Sequence, residues 1–367
     1  MLAPPVAEFR VTPGLGWPLH VEIDPRIGWP NVPRETLDWP ARVTVRSWSS
    51  GVDTMTAAPP APIEIPPGPR RARFDEDEFA PTPAEEDPPA VAVAERPTSA
   101  ALPAPPHTRI FVVANQKGGV GKTTTSVNLA AALALGGLTV LVVDLDPQGN
   151  ATTALGVDHP PGIPGTYEVL MAGASLADHV VSSPEAPNLK VLPATIDLAG
   201  AEIELVSVVA RESRLLRAVR AYLHNHHADY VFLDCPPSLG LLTLNALVAA
   251  NEILVPIQCE YYALEGVTQL MRTIALVKGE LNSDLRLSTV MLTMFDGRTK
   301  LAAQVADEVR HHFPAETLTT VIPRSVRISE APSYGQTVLT YQPSSVGAIS
   351  YLEAAHEIAQ RGVEENL

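Results

Sequence analysis

From Thr108 onward the chain alternates between two apolar patterns. Short continuous runs rich in β-branched residues fall at Ile110–Ala114, Thr139–Val143, Leu189–Leu192, Tyr230–Leu233, Ile253–Ile257, Leu287–Leu292 and Thr320–Ile322. Between most of them lie stretches with apolar residues at helical spacing: Val127–Leu135, Glu212–His226, Leu241–Ala250, Ala263–Leu281, Leu301–His312 and Ser345–Arg361. A strand that is apolar at every position is buried on both faces, and intervening helices supply the cover. The pattern predicts an α/β domain over residues 108–361, a mostly parallel, doubly wound sheet with helices on both faces. Residues 362–367 remain as a short C-terminal tail.

Proline separates the rest. Of 36 prolines, 22 precede His107. Residues 55–107 carry Pro59-Pro60-Ala61-Pro62 and the acidic run Asp75-Glu76-Asp77-Glu78. Such a segment holds neither helix nor central strand and buries too little apolar surface to offset chain entropy, so a disordered N-terminal extension is expected. Residues 1–54 contain all four tryptophans, three of them before proline (Trp17-Pro18, Trp29-Pro30, Trp39-Pro40). Two readings stand: a docking segment with aromatic anchors, or sequence ahead of a translation start at Met55.

Charge and cysteine usage narrow the function classes. The 367-residue chain has a formal net charge of −15, so any contact with DNA must come from a local cluster of cations. Arg298, Lys300, Arg310, Arg324 and Arg327 form one such cluster, and Arg211, Arg214, Arg217 and Arg220 form a second on one predicted helix. The two cysteines, Cys235 and Cys259, form no CxxC pair, and no histidine pair has metal-ligand context. There is no apolar run of transmembrane length and no secretory pattern at the N-terminus, so a cytoplasmic location is expected.

Three segments carry chemistry. Lys117-Gly118-Gly119-Val120-Gly121-Lys122-Thr123-Thr124-Thr125 follows the first strand and opens the first helix. Strand, glycine loop and helix make the context of a phosphate-binding P-loop, in which backbone N–H groups surround phosphate oxygens. Lys122 would reach the β- and γ-phosphates, and the Thr123 hydroxyl would ligate Mg²⁺. The usual first glycine is replaced by Gln116, and a second lysine, Lys117, stands at the loop entrance. The second segment, Asp144-Leu145-Asp146-Pro147-Gln148-Gly149-Asn150, follows the second strand. Asp144 and Asp146 then emerge beside the P-loop, one for the Mg²⁺ shell and one to orient the attacking water, although an Asp-Pro turn alone would look similar. In the third, Val231-Phe232-Leu233-Asp234-Cys235-Pro236-Pro237, an aspartate ends an apolar strand in the Walker B manner, and Cys235 reads as a small buried filler.

Together these segments resemble the ParA/MinD family of deviant Walker A ATPases, and within it the chromosomal ParA (Soj-like) partition ATPases. Asn115-Gln116, Met294-Phe295-Asp296-Gly297-Arg298-Thr299 and Ile322-Pro323-Arg324-Ser325-Val326-Arg327 strengthen the likeness. The resemblance implies ATP and Mg²⁺ as cofactors and an ATP-dependent homodimer in which Lys117 reaches the partner's nucleotide. It assigns nucleotide contacts to Lys117 through Thr124, with Pro323 and Arg324 near the adenine, and metal contacts to Thr123, Asp144 and Asp234. It makes Asp146, with Lys117 and Lys122, catalytic. It gives Arg298 and Arg327 to non-specific double-stranded DNA, predicts a ParB-type centromere-binding partner that stimulates slow hydrolysis, and implies nucleoid association. The N-terminal extension then serves as a solvating spacer or as a tether to a polar scaffold. The alternative is a MinD-like membrane-surface ATPase, which calls for a basic amphipathic C-terminal helix, whereas residues 354–367 are acidic and small.

Overall fold

The computed structural model describes residues 101–261 and 263–364. The readings for residues 1–100 and for the last three residues lie outside them. The elements in chain order are β1 (Arg109–Val113), α1 (Lys122–Leu135), β2 (Val140–Asp144), α2 (Asn150–Ala154), α3 (Thr166–Met171), β3 (Val181–Ser182), β4 (Leu189–Leu192), α4 (Leu198–Glu204) and α5 (Arg214–Asn225). There follow β5 (Tyr230–Asp234), α6 (Leu241–Ala249), β6 (Glu252–Gln258), α7 (Ala263–Glu280), β7 (Arg286–Phe295), α8 (Lys300–His312), β8 (Thr317–Pro323), α9 (Val326–Glu330), α10 (Val338–Tyr341) and α11 (Val346–Glu364).

The strands form one eight-stranded sheet in the order β3-β4-β2-β5-β1-β6-β7-β8. Every pairing is parallel except β3 with β4. The expected doubly wound sheet is therefore present. Alternate residues of each strand feed two cores. Phe111, Val113, Val142 and Phe232 face α1 and α11, meeting Leu129, Leu133 and Tyr351. Val112, Leu141, Val143, Val231 and Leu233 face the other layer, where Val219, Leu242 and Ala306 wait on α5, α6 and α8. In the first core the Phe111 and Phe232 rings stack with centroids 5.6 Å apart.

The register of the three central strands sets the site. Val113 of β1 pairs with Asp234 of β5, and Asp234 pairs with Asp144 of β2. The P-loop, the aspartate after β2 and the aspartate after β5 thus leave the sheet from one row at its carboxyl edge. This is where an open parallel sheet binds ligands.

Several bounds differ from the sequence expectation. Helix α1 begins at Lys122, five residues before the apolar pattern starts. Its first turn carries the polar residues Lys122 to Ser126, so the helical period is invisible there. Strand β8 runs over Thr317–Pro323 and β7 over Arg286–Phe295, both longer than their apolar runs. Helices α2, α3, α4, α9 and α10 span seven residues or fewer, too short for a period to show. The packed fold also reaches back before Thr108. Leu102 donates its N–H to the Gly136 carbonyl at 2.9 Å and packs against the first core. No helix among the described residues is long and apolar enough to cross a membrane.

Phe232 is fully buried at the centre of the sheet between two aromatic neighbours. Phe232→Ala removes that packing and leaves a cavity, so a loss of about 3–5 kcal/mol in unfolding free energy is expected by denaturant titration.

Candidate nucleotide site

The loop between β1 and α1 is held on three sides. Asn115 donates its side-chain amide to the Pro256 carbonyl at 2.8 Å and accepts the Lys117 N–H at 3.0 Å. Thr293 of β7 donates its hydroxyl to the Val120 carbonyl at 2.9 Å. Gly119 and Gly121 adopt φ of +72° and +89°, a region costly for any residue with a Cβ, and this turns the loop so that α1 starts beneath it. The first N–H groups of α1 and the curled loop make a cradle for anionic oxygens, with Gly118 and Gly119 facing open space. Lys122 is buried beneath the loop, its ammonium 3.4 Å from the Lys117 carbonyl. Desolvation lowers its pKa, and the carboxylates of Asp234 and Asp146 oppose that fall.

Asp234 lies at the floor. It accepts the Thr123 hydroxyl at 2.8 Å on one oxygen and the Ser126 hydroxyl at 2.6 Å on the other. Complete burial and the neighbouring Asp144 push its pKa up to about 7. A divalent cation beside this carboxylate would favour its charged form. Thr123 and Asp234 together offer the hard hydroxyl and carboxylate oxygens that Mg²⁺ prefers, so the residues present fit that ion. Asp144 is arranged differently. Its carboxylate accepts the Thr152 N–H at 2.9 Å, the Thr152 hydroxyl at 2.7 Å and the Asp146 N–H at 3.0 Å. Burial raises its pKa to about 6. The sequence suggested Asp144 for the metal. Three bonds from the loop already reach its carboxylate, so it also anchors residues 144–152. Gly149 begins α2 at φ +64°, where a Cβ would sit 3.0 Å from the Ala194 carbonyl. Asp146 is nearly buried, and among the described residues the hydrogen bond to its carboxylate is from the Gln148 N–H at 3.0 Å, on one oxygen.

At the rim, Lys117 extends to Glu260, with Nζ 3.5 Å from one carboxylate oxygen. Arg324 reaches the other oxygen at 3.1 Å, and Gln258 donates to that same atom at 2.6 Å. Glu260 therefore gathers the signature lysine and the β8 arginine. Pro323 and Arg324 sit where β8 ends beside Phe295. Sequence reasoning passed over Ser126, Thr152 and Glu260. Ser126 was legible, three residues after Thr123 on the same helix face; Thr152 reaches Asp144 across 8 residues and Glu260 reaches Arg324 and Lys117 across 64 and 143, which spacing does not reveal.

The two arginines assigned to DNA lie on separate loops of the carboxyl edge, Arg298 after β7 and Arg327 in α9. Arg298 forms a two-pronged pair with Asp296, at 2.9 and 2.8 Å, and holds that carboxyl down to about 2. Arg327 pairs with Glu330 at 2.9 Å. In the second cluster, Arg214 donates to the Leu170 and Met171 carbonyls and Arg217 to those of Ser213 and Ala210, so these side chains tie helix ends together. Cys235 is buried with its thiol pKa raised by desolvation, as a packing residue would be, and no metal-holding cluster of histidine, cysteine and acid occurs among the described residues.

A parallel sheet with a glycine cradle, a buried lysine and a hydroxyl–carboxylate pair at its edge defines a P-loop nucleotide-binding protein. An AAA-domain family profile matches residues 108–287. Soj, the sporulation initiation inhibitor protein of Bacillus subtilis, is 52% identical over 254 residues, covering 69% of this chain and 99% of Soj. The chromosome partitioning protein ParA of Caulobacter vibrioides is 50% identical over 253 residues, covering 69% and 94%. Among solved structures, cobyrinic acid a,c-diamide synthase from Mycobacterium smegmatis, with bound ATP analog and magnesium, shares 40% identity at a TM-score of 0.60, covering 70% and 96%. The chain belongs to the ParA/Soj family of chromosome-partitioning ATPases.

The raised pKa of Asp234 has a consequence for stability. A carboxylate whose pKa is higher folded than unfolded favours the fold at low pH and loses that contribution as pH rises through its folded value. Asp234→Asn removes the charge, so in nucleotide-free protein its melting temperature should gain on wild type at pH 8 and not at pH 4. Calorimetry at the two values checks it.

Proposed function

We propose that this protein is a DNA-partitioning ATPase in which nucleotide controls assembly and assembly controls DNA binding. The observation that carries the reading is the row Val113–Asp234–Asp144, which puts the P-loop, Asp234 and Asp146 at one point of the sheet edge. ATP and Mg²⁺ are the ligands of this site. The loop amides from Gly118 to Thr124 and the Lys122 ammonium hold the phosphate chain. Thr123 and Asp234 hold the Mg²⁺ shell. The ion supplies neutralisation of phosphate charge.

Hydrolysis needs a water aligned with the γ-phosphorus and little covalent chemistry from the protein. Asp146 is the residue for that task, because among the described residues its carboxylate accepts a bond on one oxygen and its position is fixed through Gln148. Lys117 stands at the rim, half in solvent, and not over its own phosphate cradle. From there it serves the nucleotide of a second copy, so two chains complete each other's sites. Pro323 and Arg324 flank the adenine. The ATP-bound dimer then presents Arg298 and Arg327 to the phosphates of non-specific double-stranded DNA. A ParB-type centromere-binding partner accelerates hydrolysis and releases the dimer. The protein works in the cytoplasm on the nucleoid, and the N-terminal extension ahead of the domain is a spacer or a scaffold tether.

Retention of non-specific duplex DNA should occur with ATP and not with ADP, and should fall steeply as salt rises. Absence of retention in both states would remove the DNA role and leave a nucleotide switch with another partner, such as a membrane surface. Asp146→Ala should bind ATP and form dimers, while its DNA-stimulated hydrolysis drops by about 10²-fold or more. Normal turnover in that variant would sink the assignment.

A further inference from the structure

The arginines of the C-terminal basic stretch are not free cations. Arg298 pairs with Asp296 at 2.8 Å, Arg310 with Asp307 at 3.9 Å, Arg324 with Glu260 at 3.1 Å and Arg327 with Glu330 at 2.9 Å. A stretch that reads as basic in sequence is close to neutral in the fold. The two pairs that matter for DNA share a further feature. In each, the acid is held by a second bond, Asp296 by the Arg298 backbone N–H and Glu330 by the Tyr341 hydroxyl.

Asp296 is 23% exposed and also accepts the Arg298 backbone N–H at 3.1 Å, whereas the Arg298 side chain is 88% exposed. Glu330 sits one helical turn from Arg327 and also accepts the Tyr341 hydroxyl at 3.3 Å. The Arg298 guanidinium can therefore swing away while its carboxylate stays, and Arg327, which also meets the Tyr341 hydroxyl, is still more than half exposed. Asp296 occupies the Nε–Nη2 edge of Arg298 side-on, the geometry in which a guanidinium also takes two phosphate oxygens.

We propose that Asp296 and Glu330 are counter-charges that limit DNA affinity, competing with backbone phosphates for Arg298 and Arg327. This rests on the reading that the ATP-bound form takes DNA through those two arginines. The acids do two opposite things. They orient the arginines, and they repel the phosphate that approaches. Orientation by an ion pair this exposed is worth little. Repulsion acts within a few ångströms, well inside the screening length at physiological salt. Repulsion wins, so removing the acid strengthens binding. It also changes the salt dependence. An arginine neutralised by its own carboxylate adds no net charge at the phosphate, whereas a freed one displaces a condensed counterion. The slope of log affinity against log salt should then steepen by up to about one for each acid removed. The acids thus keep a non-specific binder loose enough to release its track.

The test uses the full chain with ATP and Mg²⁺ and fluorescence anisotropy on a labelled duplex of arbitrary sequence across a salt series. Asp296→Asn and Glu330→Gln keep side-chain shape and an acceptor oxygen, so the loop and α9 hold. Each should raise affinity about threefold near 0.15 M salt, and the pair about tenfold, with a steeper salt slope. Unchanged or weaker binding by a variant that melts like wild type overturns the proposal, and so does a gain without a change in slope. The two acids lie on separate elements, so misfolding of one variant leaves the other to decide. Arg298→Ala with Arg327→Ala reports on the underlying reading by itself. If that double variant binds DNA as wild type does, the arginine assignment fails whatever the acids do. If no form binds DNA, the DNA reading falls and this proposal with it.

Discussion

Two buried carboxylates on neighbouring strands, Asp144 and Asp234, are the constraint around which this site is built. Parallel pairing puts them side by side, and full burial makes both unfavourable as anions. The fold resolves them in different ways. Asp144 is satisfied internally by Thr152 and by the backbone of Asp146, which fixes the course of the following loop. Asp234 receives hydroxyl donors from Thr123 and Ser126 and keeps a pKa far above the usual carboxylate value. A dication bound beside Asp234 would favour its charged form.

That arrangement links binding to the rest of the molecule through short paths. The P-loop is tied to β6 by Asn115 and to β7 by Thr293, so phosphate held in the cradle bears on the strands that lead to Glu260 and Arg298. At the rim, Glu260 holds Lys117 and Arg324 together. β7 ends at a backbone outlier, Met294 at φ +50°, from which the Asp296–Arg298 loop leaves. Nucleotide site, rim and arginine loops thus occupy one edge of one sheet, where elements are close enough to be biased by the same ligand.

The sheet and its main helices were legible because their residues are apolar in runs or at helical spacing, as in Val140–Val143 or Leu301–His312. The phosphate loop was legible because its chemistry demands contiguous residues, from Lys117 to Thr125. The short helices escaped, since a segment such as Val338–Tyr341 makes one turn and has no period. The start of α1 was hidden for a different reason: its first turn serves phosphate and metal, so polar residues stand where a core-facing pattern would be. The bonds that Thr152 and the Asp146 N–H make to Asp144 could not be read from two aspartates two residues apart. Nor does counting cations along the chain show the acids that fold onto them.

The sequence by itself determined the α/β class, the order of strands and helices along the chain, the phosphate loop and the family. All of these rest on residues adjacent in the chain or on a local period, which are written in one dimension. The tertiary structure alone shows that Ser126 and Thr152 hold the two aspartates, that Glu260 bridges Lys117 and Arg324, and that Arg298 and Arg327 are already paired with acids. Those facts depend on strand register and on contacts between distant loops, and burial and pairing set the charge each group presents.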